Sequence, residues 1–297
     1  MAMDDSRLVR SATLTQGDWS LTMNTHASET APYQPLLQEL DGWYGGVGVS
    51  AQNEQRKLGH GVFPEPSLRT GRQITLGGLF FFGSEADRTV GDRFISGILW
   101  DGEFADLTVD VGGVETLTAR VKLDGEIKHK PIGDDGIQWE APLFAPDPFL
   151  YAPARTYQVF PAGFGEGLQY PLFATKKNAD GVPVLDWGKG APVGGAFGNQ
   201  GNATAYPVFT VQGSWPAGFD IVTNGRTISY PAPVDPSSPV VIDNREGSVM
   251  SSGYDQTYRL TSRDWVEVSP GESIQPRIIA HAPSNGWLDI QLSDTYI

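Results

Sequence analysis

The sequence predicts a mainly β protein with one helix, divided into an N-terminal α+β domain and a C-terminal β-sandwich. Short apolar runs separated by Gly, Pro and Asn recur along the 297 residues, and the 36 Gly and 22 Pro are too many for a helical bundle. Most of these runs alternate apolar and polar residues with the period of a strand. Only the stretch near residues 84–99 shows the spacing of an amphipathic helix.

Charge and composition exclude several classes of protein. The formal net charge of −14 and the pI of about 4.6 argue against a nucleic-acid surface, which needs clustered Lys and Arg. The chain has no cysteine, which excludes disulfides and thiolate sites. Residues 1–11 lack the apolar core of a signal peptide, and no window is apolar enough for a membrane span. We therefore expect neither a secretion signal, nor a membrane span, nor a nucleic-acid partner.

The first domain combines strands with a single helix. The segment Ser84-Glu-Ala-Asp87 is a capping box that begins the helix. Its predicted apolar stripe consists of Ala86, Val90, Phe94 and Ile98, widened by Ile95 and Leu99. The predicted strands cover residues 19–23, 72–82, 105–111, 114–123, 126–130 and 137–144.

The domain boundary is predicted near residue 145, because prolines at 146, 148 and 153 interrupt regular structure. This gives domains at 1–145 and 146–297. In the second domain, Gly198 and Gly201 are predicted to occupy positive φ in a turn, and Pro270-Gly271 marks a tight turn. The regular spacing of short strands and turns predicts a two-sheet jelly roll.

Candidate chemical sites are few, and each has a structural alternative. Asp101 and Glu103 are close enough in sequence for the carboxylate pair of a glycosidase, but 35 acidic residues make such pairs common, which favours a turn. Asp134-Asp135-Gly136 is likewise a turn, with a loop calcium site as the alternative. The four histidines form no metal-binding spacing, and no Gly-x-Ser-x-Gly elbow occurs. We predict no catalytic residue, no metal and no cofactor.

Six segments in order resemble the distal tail protein family of long-tailed phages, whose members are often called minor tail proteins in phages of actinobacteria. The resemblance extends from about Asp18 to the C-terminus. The segments that carry it lie at residues 143–151, 198–203, 207–213, 240–245 and 265–271 and at Trp287.

The resemblance implies a structural protein without enzymatic activity. Its N-terminal domain would form a ring, usually a hexamer, at the end of the tail tube, and its C-terminal domain would be a galectin-like β-sandwich that projects outward. The implied partners are the tail tube protein, the tail-associated hub protein and receptor-binding proteins. The implied location is the distal end of the virion tail, after synthesis in the host cytoplasm.

A ring requires an interface between copies, and an open sheet edge is one way to make it. Unpaired N–H and C=O groups at an edge are satisfied when a neighbouring subunit pairs with it. The same residues also suit the core of the domain, and this alternative stays open. The candidate interface residues are Ile74, Leu76, Leu79, Phe80, Val109 and Val111.

Carbohydrate binding is the alternative function, because jelly rolls often present aromatic platforms for sugars. Trp187 and Trp215 lie in Gly- and Pro-rich loops and are the candidate glycan contacts, whereas Trp265 lies in an alternating strand and is predicted to be buried. Host-surface glycans would then be partners. The segment 27–66 contains a Gly-rich run and is predicted to be an arm that becomes ordered on contact with a partner.

Overall fold

The structure, a computed structural model, describes residues 9–26, 35–51, 53–133, 136–161, 177, 181–182 and 195–297. The predicted fold class is confirmed, because this part of the chain is mainly β with a single α-helix. The chain divides into two compact units, Met1–Pro153 with Tyr296–Ile297 and Ala154–Thr295. No helix in the described ranges is long and apolar enough to cross a membrane.

The first unit contains thirteen strands and the helix in its described residues. They are β1 Ser11–Gln16, β2 Trp19–Asn24, β3 Leu36–Asp41, β4 Val49–Ser50, β5 Glu54–Gln55, β6 Val62–Phe63, β7 Leu68–Arg69, β8 Arg72–Phe81, α1 Glu85–Ser96, β9 Ala105–Asp110, β10 Thr116–Leu123, β11 Lys128–Ile132, β12 Gly136–Ala145 and β13 Leu150–Tyr151.

The main sheet of the first unit closes on itself. Seven strands follow the order β12-β8-β3-β2-β1-β9-β10, and β10 pairs again with β12 through Lys122↔Phe144 and Leu123↔Leu143. Strand β12 makes this closure possible because it is long enough to pair with β8 along one side and with both β11 and β10 along the other. The ladder is least complete between β2 and β3, which pair in parallel at Asn24↔Leu36 alone, so that closure is continuous at every junction but this one.

The alternation of residues along these strands builds one core. Strand β12 is the clearest case, since its side chains alternate between buried and half-buried positions over its whole length. The largest fully buried side chains of this unit are those of Trp43, Trp139, Arg72, Leu14, Met23, Leu40, Ile74, Leu76 and Ile95.

Helix α1 begins as predicted. Ser84 is its N-cap, and its Oγ accepts a hydrogen bond from the Asp87 backbone N–H at 3.2 Å. The predicted apolar stripe is wrong for the first three of its members: Ala86, Val90 and Phe94 are exposed. The buried residues of the helix are instead Gly91 and Ile95. Gly91 has no side chain, and this allows the Phe82 ring to pack closely against the helix.

The remaining elements form the second unit and the C-terminus. They are β14 Arg155–Val159, β15 Phe197–Gly198, β16 Val208–Gln212, β17 Phe219–Thr223, β18 Arg226–Tyr230, β19 Val240–Asp243, β20 Ser248–Ser251, β21 Tyr254–Asp255, a 3-10 turn Thr257–Arg259, β22 Ser262–Arg263, β23 Ser273–Ile274, β24 Arg277–Ala280, β25 Trp287–Leu292 and β26 Thr295–Tyr296.

Two sheets of the second unit share one hydrophobic core. The larger sheet has the order β14-β25-β16-β19-β20-β21 and the smaller one the order β22-β18-β17-β24. The larger sheet contributes Phe209, Val211, Ile242, Leu288 and Ile290 to the core, and the smaller one contributes Phe219, Ile221, Ile228 and Ile278. This is the arrangement of two packed sheets.

Gly198 and Gly201 differ from the prediction, because neither has a positive φ. Gly201 is required for close approach instead. A Cβ atom at this position would overlap the backbone of Thr295, so that only a glycine lets the two chain segments pack together.

The side chain of Asn199 stabilises this contact by hydrogen bonds. Its side chain is buried, and its Nδ2 donates to the carbonyl oxygens of Ala203 at 2.7 Å and of Val268 at 3.0 Å. Its Oδ1 accepts from the backbone N–H groups of Gly201 at 2.9 Å and of Thr295 at 3.3 Å. The amide thereby bonds four backbone groups, of which the Val268 carbonyl also accepts from the Ala205 N–H at 3.0 Å.

Candidate functional site

Five of the six candidate ring-interface residues are buried in the subunit, and the sixth, Val111, is half-buried. Burial favours the core role that the sequence left open as the alternative. Ile74, Leu76, Phe80 and Val109 belong to the hydrophobic core of the first unit, and Leu79 is buried too. Val111 is half-buried in the turn after β9, where its N–H donates to the Glu115 carbonyl at 2.8 Å.

The strands that carry these residues are not sheet edges. Strand β8 pairs with β12 and β3, and β9 pairs with β1 and β10, so both are central strands. A genuine outer edge is β11, in which every residue is exposed. Pro131 and the cations Lys128 and Lys130 lie in this strand, and both features discourage pairing with another strand.

The acidic pair that suggested a glycosidase is a turn. Asp101 Oδ1 accepts from Gln16 Nε2 at 3.0 Å and from the Glu103 backbone N–H at 3.1 Å. The bond from Gln16 is the main reason that the pKa of Asp101 is lowered. A general acid of a glycosidase needs the opposite, a raised pKa.

The histidines do not form a metal centre in the described part of the chain. His129 lies 3.7 Å from Asp92, and His281 Nε2 lies 2.9 Å from Asp220 Oδ1. No group of three or more His, Asp or Glu residues in the described ranges is placed to hold a metal ion. Asp134 and Asp135, the alternative calcium loop, lie outside the described residues.

Of the two candidate glycan contacts, one is corrected and one lies outside the described residues. The ring of Trp215 is fully buried, packs against Phe219 with centroids 5.6 Å apart, and donates its indole N–H to the Gln212 carbonyl at 2.9 Å. It cannot stack on a sugar from that position. Trp187 falls in the stretch that the structure does not describe. Trp265, predicted to be buried, is half-buried against the core.

A cleft of about 220 Å³ lies over the outer face of β8. Glu39, Glu140, Lys128 and Lys130 line it around the backbone of Gly77. Its volume is below the roughly 300–1,000 Å³ of a small-molecule site. Both acidic and basic side chains line it. These features do not fit an organic cofactor.

Two ribbons of the first unit project from the core and form what we call the arm, residues 49–51 and 53–69. Strands β4 and β7 pair at its root, and β5 and β6 pair further out. Every described residue of the arm is exposed, including large apolar ones: Val49, Leu58, Val62, Phe63 and Leu68. Two-stranded ribbons with exposed apolar side chains are marginal in water.

Arg72 anchors the root of the arm. It is buried, and its Nη1 donates to the carbonyl oxygens of Trp43 at 2.8 Å, Gly42 at 3.1 Å and Gly45 at 3.3 Å, while its Nε donates to that of Pro148 at 3.0 Å. Burial lowers the pKa of this guanidinium. Three of these carbonyls, those of Gly42, Trp43 and Gly45, lie in the segment that leads into the arm and hold it against β8, which carries Arg72.

A second exposed apolar patch, which we call the α1 surface, consists of Ala86, Val90, Phe94, Trp100 and the neighbouring Trp19. Phe94 packs against Trp19 with ring centroids 6.1 Å apart. Trp100 follows the helix and is exposed over 82% of its surface. Exposed tryptophan beside exposed aliphatic side chains is typical of protein interfaces.

The arm predicted over residues 27–66 overlaps the two ribbons only from residue 49 onward, because Leu36–Asp41 forms β3 of the main sheet and Trp43 lies in the core. The α1 surface was not predicted. Val90 and Phe94 have helical spacing, which predicts burial just as well as an interface. Nothing in the sequence distinguishes Arg72 from the exposed arginines, since its four partners lie far from it along the chain.

No protein-family model and no curated protein matches the chain in sequence. Among solved structures, it is similar to the SPP1 Dit protein (gp 19.1), described as a paradigm of the hub adsorption apparatus of phages that infect Gram-positive bacteria. The TM-score is 0.62 at 13% identity, and the match covers 96% of this chain and 99% of that one. The resemblance to distal tail proteins is thus confirmed as a likeness of fold.

Two chains from structures of the phage P2 baseplate in its activated conformation, one with Ca and one with Sr, are also similar. Their TM-scores are 0.49 and 0.47 at 9% and 10% identity. Each match covers 95% of this chain and 98% of the other.

Proposed function

We propose that this chain is a structural phage tail-tip protein, located at the distal end of the virion tail. It forms a closed ring of about six copies that joins the tail tube to the hub and the receptor-binding proteins. The first unit builds the ring, and the second is a galectin-like β-sandwich. The chain acts by assembly and not by catalysis.

The observation that carries the proposal is the likeness of fold to SPP1 Dit over almost the whole length of both chains. Fold alone does not establish function, so a second feature of this chain matters. The arm and the α1 surface leave large apolar side chains in water on a folded unit that has its own core. Such surfaces are expected in a subunit of an assembly.

The experiment that tests the proposal is the solution mass of the purified protein by light scattering over a concentration range, with negative-stain imaging of the main species. We expect a closed ring of about six copies. Addition of the tail tube protein and the hub protein of the same phage is then expected to give a larger complex of fixed stoichiometry. A protein that stays monomeric both alone and with these two partners contradicts the proposal.

A further inference from the structure

The outer face of the larger sheet in the second unit carries a tryptophan among polar side chains. Side chains alternate between the two faces of a strand, and the register aligns Trp287 with Gln212, and Asp289 with both Thr210 and Gln158. The residues that alternate with them along the strands lie in the core of the unit: Val159, Phe209, Val211, Leu288 and Ile290. The first five side chains therefore share the outer face, and we call them the β25 surface.

Trp287 is held in place from two sides. Its indole N–H donates to Asp289 Oδ2 at 3.2 Å. The preceding residue, Gly286, lies so close to the buried Trp215 that a Cβ atom there would overlap the Trp215 indole nitrogen. Unlike Trp265, Trp287 is not among the described side chains that pack against the core. Its half-buried ring is therefore fixed on the outside of the sandwich.

The carboxylate of Asp289 has one oxygen with two donors and one oxygen with none. Oδ2 accepts from Gln212 Nε2 at 2.5 Å as well as from Trp287. Oδ1 is buried and has no hydrogen-bond partner. An ionised carboxylate can only accept hydrogen bonds, and a buried acceptor without a donor costs free energy. The β25 surface therefore contains an acceptor that the chain itself leaves unsatisfied.

The outer face around Asp289 carries no cation. Its positions on β14, β25, β16 and β19 hold two carboxylates and no Lys or Arg: Thr156, Gln158, Trp287, Asp289, Gln291, Val208, Thr210, Gln212, Val241 and Asp243. In a chain with a net charge of −14, these carboxylates disfavour an anionic ligand. A neutral saccharide fits better, because its ring has an apolar face for an aromatic side chain and its hydroxyl groups both donate and accept hydrogen bonds.

We propose that the β25 surface binds a neutral saccharide. One sugar ring stacks on Trp287, and a hydroxyl group of the same sugar donates to Asp289 Oδ1. The carboxyl group turns about a terminal torsion with a broad minimum, which lets Oδ1 reach a donor above the sheet. The amides of Gln158 and Gln212 bond further hydroxyl groups. The site goes beyond the structural role and does not depend on the proposed ring.

Saturation-transfer NMR on the full chain tests the proposal. The probes are glucose, galactose, rhamnose, N-acetylglucosamine and their oligosaccharides at millimolar concentrations, with glucuronate and sialic acid as anionic probes. We expect saturable transfer to at least one neutral sugar and none to the anionic ones. Trp287→Ala is expected to weaken binding at least about tenfold, because the stacking surface is lost. Asp289→Asn is expected to weaken it severalfold, because an amide nitrogen replaces one of the acceptor oxygens.

Tyr254→Ala is the matched control. Tyr254 is exposed over 73% of its surface and lies in β21, at the opposite edge of the same sheet from β14. Its removal takes away an exposed aromatic ring from the second unit without touching the β25 surface. We expect this variant to bind the neutral sugar as the unchanged chain does.

The other outcomes overturn the saccharide site. They are transfer to no neutral sugar, transfer to the anionic probes alone, equal binding by Trp287→Ala and the unchanged chain, and an equal loss in Tyr254→Ala. If circular dichroism shows that Trp287→Ala does not fold, unchanged affinity in Asp289→Asn overturns the site. Loss of hub-protein binding in Trp287→Ala without sugar binding assigns the surface to a protein contact instead. Light scattering on the same samples reports the ring separately, so that failure of the saccharide site leaves the proposed function standing.

Discussion

Arg72 donates a hydrogen bond from Nη1 to the carbonyl oxygen of Trp43 at 2.8 Å, in the interior of the first unit. A buried guanidinium usually faces a carboxylate, but every partner found for this one is a backbone carbonyl. Carbonyl groups replace water at Nε and Nη1, whereas Nη2 is buried without a hydrogen-bond partner. The carbonyls of Gly42, Trp43 and Gly45 belong to the chain that leads into the arm. The position of the arm therefore depends on a residue that lies outside it.

Replacement of Arg72 by Met is expected to destabilise the first unit. The apolar side chain has a similar length but leaves the buried Trp43 carbonyl without this donor, at a cost of about 1–3 kcal/mol, and removes three part-buried bonds as well. We expect the free energy of unfolding to fall by at least about 2 kcal/mol in urea titrations. Arg93→Met is the control, since Arg93 is exposed on α1 and its loss is expected to cost less than about 1 kcal/mol. If Arg72→Met and Arg93→Met lower the free energy of unfolding equally, the buried hydrogen bonds of Arg72 do not stabilise the first unit.

Trp100→Ala is expected to weaken assembly without unfolding the subunit. Trp100 is largely exposed in the isolated chain, so its removal costs little core packing, whereas a tryptophan at the centre of an interface contributes about 2 kcal/mol or more. This corresponds to a dissociation constant raised by roughly 30-fold, measured by light scattering on dilution. Tyr254→Ala removes an equally prominent exposed ring from the second unit and should leave the mass unchanged. Identical dilution curves for the two variants would exclude Trp100 from the interface.

Asn199→Ala is expected to destabilise the second unit. The substitution removes the Asn199 bond from the Ala203 carbonyl and from the N–H groups of Gly201 and Thr295, and we expect the unfolding free energy to fall by at least about 2 kcal/mol. Urea denaturation followed by the fluorescence of the buried Trp215 measures it. Asn285→Ala is the matched control: Asn285 is exposed and accepts one bond from the Ser214 N–H. A change no larger than that of the control would contradict the role of Asn199.

Gln16→Leu is expected to raise the pKa of Asp101 toward its ordinary value. The Gln16 amide is the main cause of the lowered pKa, since it stabilises the charged carboxylate. A lowered pKa means that the interaction stabilises the folded state above the unfolded pKa and is lost as pH falls through the folded pKa. NMR titration of the carboxyl carbons measures the shift. The pKa of Asp235, which Ser237 lowers, is the internal control and should stay the same.

Local features of the first unit were predictable because they depend on neighbours in the chain. The capping box at Ser84 begins the helix, and the alternation over residues 137–144 becomes a strand with alternating burial, β12. Turn residues such as Gly112 and Gly113, which both have positive φ, separate β9 from β10 as predicted. The strand β1 was missed, although Ser11–Gln16 alternates in the same way.

The sequence by itself determined the class of the protein: a mainly β chain with one helix, and a resemblance to distal tail proteins that the fold confirms. Only the tertiary structure decided which apolar residues face water. Leu76 and Val90 both fit apolar patterns, yet closure of the sheet buries the first and α1 presents the second to solvent. Periodicity predicts that one face of an element is apolar, but whether that face is covered depends on contacts between residues far apart in the chain, and these contacts leave the apolar residues of the arm and of α1 exposed.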